Sequence, residues 1–110
     1  MSISIGLDWD DTVTREPEGF YNFVKSMRDL GHKVYIVTMR YPSECMNIPR
    51  QWINAVDGVY PTSRGSKLKH MTEAGIKIDI WIDDNPIAVY KTAAEIWGCS
   101  TPEQTQALTA

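Results

Sequence analysis

The sequence predicts an α/β fold in which a parallel β-sheet is covered by helices on both faces. First, the chain has 110 residues, 43% of them hydrophobic and 23% charged, which is the composition of one globular domain. Second, short apolar runs rich in β-branched residues alternate with segments whose apolar residues recur at helical spacing. Third, these runs are nearly continuous, as is typical of strands that are buried on both faces.

The first three predicted elements are a strand, a helix and a second strand. Residues 3–7 form an apolar run that is too short for a helix and that ends in acidic residues. Apolar side chains then recur every three or four positions over residues 18–30, with Pro17 before them and Gly31 after them, as at the two ends of a helix. Residues 34–37 predict the second strand, which Thr38 closes.

The middle of the chain, residues 39–66, gives the weakest pattern. Three prolines and Gly58 interrupt it. Within it, the apolar residues around Trp52 suggest a helix, and residues 58–60 suggest a very short strand.

The remaining elements predict a repeat of the helix and strand alternation. Ser66 is a candidate N-cap for a helix over residues 67–74, and residues 78–82 form a strand that ends in two aspartates. Pro86 precedes a helix that we predict over residues 87–97. We therefore expect one domain over residues 1–99 and a polar tail, or a short helix at most, over residues 100–110.

Composition excludes several classes of protein. No stretch approaches the roughly 20 uninterrupted apolar residues of a membrane helix, and the first residues lack the basic start and long apolar run of a signal peptide. We therefore expect a cytoplasmic protein that does not associate with membranes. The only cysteines, Cys45 and Cys99, form no CxxC pair, so neither a disulfide framework nor a zinc site is indicated.

Acidic residues cluster where two of the predicted strands end. The net charge is −3, but five of the 14 acids fall in two groups, and the rest of the chain has nine acids and eleven bases. In a parallel sheet with right-handed crossovers, all strands end at one edge, and ligands bind just beyond it. The candidate functional residues at this edge are Asp8, Asp10, Thr38, Asp83 and Asp84.

The first acidic group suits a divalent metal ion. If the chain stays extended after the first strand, Asp8 and Asp10 point to the same side while Trp9 packs away. Two such carboxylates can hold Mg²⁺ and leave one oxygen free to react. A calcium loop does not fit, because Val13 stands where that loop needs glycine and Gly19 where it needs glutamate. The alternative is ordinary turn chemistry between a strand and a helix.

The second acidic group and two further side chains complete a candidate site. The adjacent carboxylates of Asp83 and Asp84 repel each other unless a cation or solvent neutralises them, although such a pair is also common in plain turns. The Thr38 hydroxyl could donate a hydrogen bond to a phosphate oxygen. The Lys67 ammonium could neutralise a phosphoryl group beside a reactive carboxylate, although a lysine in a first helical turn is more often plain surface.

Together these residues resemble a known family. The run Asp8-Trp9-Asp10-Asp11-Thr12-Val13 is similar to the DxDx(T/V) motif of the haloacid dehalogenase (HAD) superfamily. Thr38, Lys67 and Asp83-Asp84 follow in the order of that superfamily's second, third and fourth motifs, so the resemblance spans residues 3 to about 90. It implies a three-layer, Rossmann-like parallel sheet and a Mg²⁺-dependent phosphatase.

The resemblance also implies a role for each residue. Asp8 would be the nucleophile that forms an aspartyl-phosphate, and Asp10 the acid for the leaving group and then the base for water. Thr38 and Lys67 would hold the phosphoryl group, with Lys69 as the alternative lysine. The Mg²⁺ ligands would be Asp8, the backbone carbonyl of Asp10, and Asp84 with help from Asp83.

The segments between Thr12 and the second strand and between Thr38 and Lys67 have room for a helix and loops, but not for the cap domains of this superfamily. An open site leaves the exclusion of water to the substrate or to a second copy of the chain in a homo-oligomer. We therefore expect a phosphorylated substrate, namely a nucleotide, a nucleic-acid end or a phosphoprotein. Candidate substrate contacts are Thr12, Thr38, Arg40 and Lys67, with Arg15 and Tyr41 near the mouth of the site.

Two other classes of function stay open at this point. A phosphoacceptor signalling domain, similar to response-regulator receivers, would also combine acidic residues, Mg²⁺, a threonine and a lysine on a parallel sheet. The order of the motifs argues against it, because in receivers the acidic pair comes first and the lysine last. A metal-binding module without catalytic activity is the third hypothesis.

Overall fold

The structure is a computed structural model that describes residues 2–98. In this part of the chain, four parallel strands form the only sheet. The strands are β1 (Ser4–Leu7), β2 (Lys33–Thr38), β3 (Gly58–Pro61) and β4 (Ile80–Ile82). Their spatial order is β3-β2-β1-β4, and every neighbouring pair is parallel. This confirms the predicted α/β class and the parallel sheet.

Within residues 2–98, five helices connect and cover the strands. They are α1 (Pro17–Asp29), α2 (Arg50–Ala55), α3 (Lys67–Glu73), α4 (Ile87–Tyr90) and α5 (Ala93–Ile96), with single 3₁₀ turns at Val13–Arg15 and Pro42–Cys45. The helix before β2, the helix around Trp52 and the helix that Ser66 caps were all predicted. None of the helices within residues 2–98 is long and apolar enough to cross a membrane.

The core lies on both faces of the sheet. On one face, Leu7 and Ile36 pack with Val24 of α1 and Trp52 of α2. On the other face, Tyr35, Val37 and Ile78 pack with Met71 of α3. Because successive residues of a strand point to opposite faces, β2 needs apolar residues at every position, which explains its continuous apolar run.

Gly6 in the middle of β1 allows a close approach between β1 and the side chain of Trp81. A Cβ atom on residue 6 would lie 2.6 Å from Cε3 of the Trp81 ring and 3.1 Å from Cγ2 of Ile78. Real Cβ contacts of 2.6 Å essentially do not occur, so glycine is the residue that fits this ring against the sheet.

The second half differs from the prediction in two places. The helix predicted over residues 87–97 is divided into α4 and α5, because Lys91 and Thr92 are extended. Thr92 starts α5 as a capping box: its Oγ1 accepts from the Glu95 amide at 3.1 Å, and its own amide donates to Glu95 Oε1 at 3.0 Å. The last strand is shorter than predicted and begins at Ile80.

Two predictions fall wholly or partly outside the described residues. The proposed tail over residues 100–110 lies there, and so does Cys99. The other cysteine, Cys45, has a free thiol and is partly buried at the end of the second 3₁₀ turn.

Candidate functional site

Pairing of β1 with β4 brings the two acidic groups together. Leu7 lies opposite Ile82 in the sheet, and the Asp8 amide donates to the Ile82 carbonyl at 2.9 Å. The residues that follow these two strands therefore leave the sheet side by side at its carboxyl edge. Residues separated by some 75 positions in the sequence thus share one site.

Three carboxylates meet at this edge. Asp8, Asp83 and Asp84 each offer a carboxylate oxygen, and these oxygens all lie within 4.8 Å of one another. Asp8 is buried, Asp83 partly buried and Asp84 exposed, so the group opens to solvent on the Asp84 side. Carboxylate oxygens at a partly open position suit a hard divalent cation such as Mg²⁺, which keeps some of its water ligands.

The ammonium group of Lys67 lies between two of these carboxylates. Its Nζ is 2.8 Å from Asp8 Oδ1 and 2.5 Å from Asp83 Oδ2, and the Lys67 side chain is only 2% exposed. The N-cap Ser66 fixes the start of α3, because its Oγ accepts from the Lys69 amide at 3.3 Å. Lys69 itself is exposed. Of the two candidate lysines, Lys67 is therefore the one at the carboxylates.

Thr12 joins the loops that follow β1 and β4. Its hydroxyl oxygen is 3.0 Å from Asp8 Oδ2 and 3.2 Å from Asp84 Oδ1, and it accepts from the Asp84 amide at 3.1 Å. Thr12 is buried. It was predicted to contact substrate, and the structure shows that its side chain positions two carboxylates.

Burial changes the protonation of the central carboxyl group. Removal from water, which is the largest cause, and the hydrogen bond with Asp84 together raise the pKa of Asp8 to about 7, although the Lys67 ammonium acts in the opposite direction. The same hydrogen bond is the main cause that lowers the pKa of Asp84. A divalent cation in the cluster would add positive charge beside Asp8 and lower this pKa.

Asp10 does not join the carboxylate cluster. The chain turns at residues 9–12 instead of continuing as a strand, so the alternation expected for an extended segment ends at Trp9, which is buried in the core. The half-exposed Asp10 carboxylate is held by Arg40, whose Nε and Nη2 donate to its two oxygens at 2.9 Å and 2.7 Å. Its predicted metal contact involves the backbone carbonyl and stays a prediction.

Thr38 lies at the carboxyl end of β2, at the same edge of the sheet. It is 1% exposed, and its Oγ1 accepts from the Arg40 amide at 3.3 Å. The hydroxyl thus holds the turn from which the Arg40 side chain reaches Asp10. Of the two residues predicted near the mouth, Arg15 is exposed at the end of the first 3₁₀ turn and Tyr41 is about half exposed.

Sequence reasoning missed the residues of the middle segment that surround Arg40. Its Nη1 donates to the Glu44 carbonyl at 2.6 Å and to Asn47 Oδ1 at 2.9 Å. Arg64 lies next to them, and its Nη2 is 3.1 Å from the carboxylate of Glu44. No periodicity marks these residues, because they lie in turns and in loops between short elements.

Known proteins supply no family for this chain. Comparison with protein-family models, with curated proteins and with solved structures found no match in any of the three. Functional conclusions therefore rest on the geometry of the site.

Proposed function

We propose that the protein is a Mg²⁺-dependent phosphatase that hydrolyses phosphomonoesters through an aspartyl-phosphate on Asp8. The observation that supports this most is the position of the Asp8 carboxylate, which has the buried Lys67 ammonium on one side and Thr12 and Asp84 on the other. A carboxylate used only for packing or capping would not need a buried ammonium and two further carboxylates. The resemblance to the HAD superfamily leads to the same proposal.

The donor set fits a magnesium ion. Asp8, Asp83 and Asp84 would hold it, since they offer hard oxygen atoms around one point and are partly open to water. When bound, Mg²⁺ neutralises charge on the carboxylates and on the phosphoryl oxygens of the substrate. Lys67 adds a second fixed positive charge next to the oxygen that attacks.

The reaction then has two steps. In the first, an Asp8 oxygen forms a bond to phosphorus, the bond to the leaving oxygen breaks, and Asp10 gives that oxygen a proton. In the second, a water molecule attacks phosphorus, Asp10 takes its proton, and the bond to Asp8 breaks to release phosphate. Lys67 keeps the Asp8 carboxylate in place throughout.

The contact between Asp10 and Arg40 adds a requirement. A guanidinium that donates to both oxygens of a carboxylate uses that group as an acceptor, whereas the acid of the first step has to donate a proton. The first step therefore requires Arg40 to leave Asp10 when substrate binds. The same contact favours a second candidate function, a phosphoacceptor domain, because a site in which Arg40 stays on Asp10 would accept a phosphoryl group and hydrolyse it slowly.

Hydrolysis of an aryl phosphate tests the proposal. We expect turnover by the wild type in Mg²⁺, none in chelator, and none by Asp8→Asn in either. Asp29→Asn, which changes an exposed carboxylate at the end of α1, is the matched control and should retain full turnover. Absence of turnover in folded wild-type protein that binds Mg²⁺ would contradict the phosphatase. Incubation with acetyl phosphate and a lasting mass increase of one phosphoryl group would then identify the phosphoacceptor.

A further inference from the structure

An open groove lies beside the carboxylate cluster, next to Asp10. Its volume is about 460 Å³, which lies within the range of small-molecule sites. It is lined by Asp10, Arg40, Glu44, Asn47 and Arg64. Asp10 is the proposed acid for the leaving group, so a leaving group that receives its proton would lie at the Asp10 side of this groove.

Arg40 is held rigidly along this groove. Its guanidinium makes two hydrogen bonds to the Asp10 carboxylate, one to the Glu44 carbonyl and one to the Asn47 side chain. A planar guanidinium held in this way is preorganised for a ligand with several acceptor atoms. If Arg40 leaves Asp10, as the first chemical step requires, acceptors of the substrate would replace the carboxylate.

A second guanidinium and an aromatic ring lie next to the groove. The Cζ atom of Arg64 is 4.9 Å from the centre of the Tyr41 ring, and both side chains are partly exposed. The edges of the Arg64 guanidinium are occupied, since they donate to the Met39 carbonyl at 2.9 Å and to Glu44 at 3.1 Å. Because the Arg64 cation already lies over one face of the Tyr41 ring, the outer faces of this pair remain as stacking surfaces, which suit a nucleobase.

The backbone that presents Arg64 is in an unfavourable conformation. Ser63 and Arg64 both have a left-handed φ, of 53° and 70°, where glycine is normally found. The Ser63 amide donates to the Arg40 carbonyl at 3.1 Å, and the Arg64 amide donates to the Met39 carbonyl at 2.8 Å. These bonds fix the strained turn against the segment that carries Arg40, and strain of this kind concentrates at functional sites.

We propose that this groove, together with the Tyr41 ring, binds the nucleoside part of a substrate, so that the protein removes phosphate from nucleotides, free or at the end of a nucleic-acid strand. The sugar would lie beside Asp10 and Arg40, and the base would stack on Arg64 and Tyr41. This inference rests on the proposed phosphatase. It favours nucleotides over proteins phosphorylated on serine or threonine, because those side chains have no planar group to stack.

The test compares substrates that differ only by the base. We would measure kcat/KM for thymidine 5′-monophosphate and for thymidine 3′-monophosphate, each against the corresponding deoxyribose phosphate without a base. We expect the base to raise kcat/KM by about 5- to 150-fold, the factor for stacking of one base. Tyr41→Leu should bring this ratio close to one, whereas Tyr41→Phe should keep it. Tyr90→Leu, at an exposed tyrosine of α4, is the matched control.

Each outcome of this test supports or overturns the inference that the groove binds a nucleoside. A ratio near one in the wild type, an unchanged ratio in Tyr41→Leu, or faster hydrolysis of a phosphoserine peptide would overturn the inference. A 5′- or 3′-phosphorylated oligothymidylate that is hydrolysed faster than the mononucleotide would identify a nucleic-acid end as the source, and the reverse would identify the free nucleotide. If no phosphate ester is hydrolysed, the phosphatase fails. Calorimetric binding of nucleotide and of base-free phosphate to Asp8→Asn then tests the groove separately.

Discussion

Replacement of Lys67 by methionine is expected to destabilise the protein strongly. The Lys67 side chain is 2% exposed, and the side chains of its partners Asp8 and Asp83 are 9% and 4% exposed. In the variant, these two buried carboxylates lose the ammonium that neutralises them and gain little contact with water. Removal of one partner from a buried ion pair costs roughly 3–5 kcal/mol. Methionine retains most of the lysine stem, so little of this loss would come from packing.

Urea unfolding followed by tryptophan fluorescence measures this loss. The measurement belongs at pH 8 in chelator, because burial raises the pKa of Asp8 to about 7, and at lower pH a proton would relieve part of the repulsion. Addition of Mg²⁺ should recover part of the loss, since a ligand at 100 times its Kd stabilises a protein by about 2.7 kcal/mol. Lys69→Met, on the exposed side of the same helix, should change stability by less than about 0.5 kcal/mol. If Lys67→Met lowered the free energy of unfolding by less than about 1 kcal/mol, the reasoning that Lys67 neutralises two buried carboxylates would be refuted.

Three further results are expected. Gly6→Ala should lower the free energy of unfolding by about 1–3 kcal/mol, since its Cβ would overlap the Trp81 ring; thermal unfolding measures this, and an unchanged Tm would contradict the close contact. In chelator, the free energy of unfolding should fall as the pH rises from about 4 to about 7, because the folded protein holds the Asp8 proton more tightly than the unfolded chain does. Urea unfolding at a series of pH values measures this fall, and Asp8→Asn should lack it. Thr12→Val should weaken Mg²⁺ binding by about 10-fold or more in calorimetry, since Asp84 loses the hydroxyl that positions it, whereas Thr12→Ser should bind nearly as the wild type does.

The sheet and the cluster of Asp8, Asp83 and Asp84 could be predicted because local patterns determine them. Continuous apolar runs mark strands that are buried on both faces, and the parallel arrangement then brings the ends of β1 and β4 together. These features depend on residues that are near one another in the sequence or in register in the sheet. The choice between Lys67 and Lys69 stayed open in the sequence, although Lys67 opens the capped helix, and only the contacts of Lys67 with Asp8 and Asp83 decide it.

The contacts of Asp10 and the middle segment could not be predicted in this way. The turn after Asp8 depends on backbone hydrogen bonds to the Trp9 carbonyl, and Asp11 takes a left-handed φ of 62° that glycine or asparagine would have signalled better. Arg64 approaches Arg40 only through another strained turn. The division between α4 and α5 did have a signal, since Thr92 and Glu95 have the spacing of a capping box.

The hydroxyl of Ser66 connects the helix that carries the buried Lys67 to α4. Besides capping α3, this hydroxyl donates to the Val89 carbonyl of α4 at 3.0 Å, and the contact is buried. The position of the Lys67 ammonium thus depends on a helix that contributes no chemical group of its own. A ligand or a sequence change that displaces α4 would alter the charge around Asp8 from a distance, and the smallest fragment that retains an intact site must extend at least to Val89.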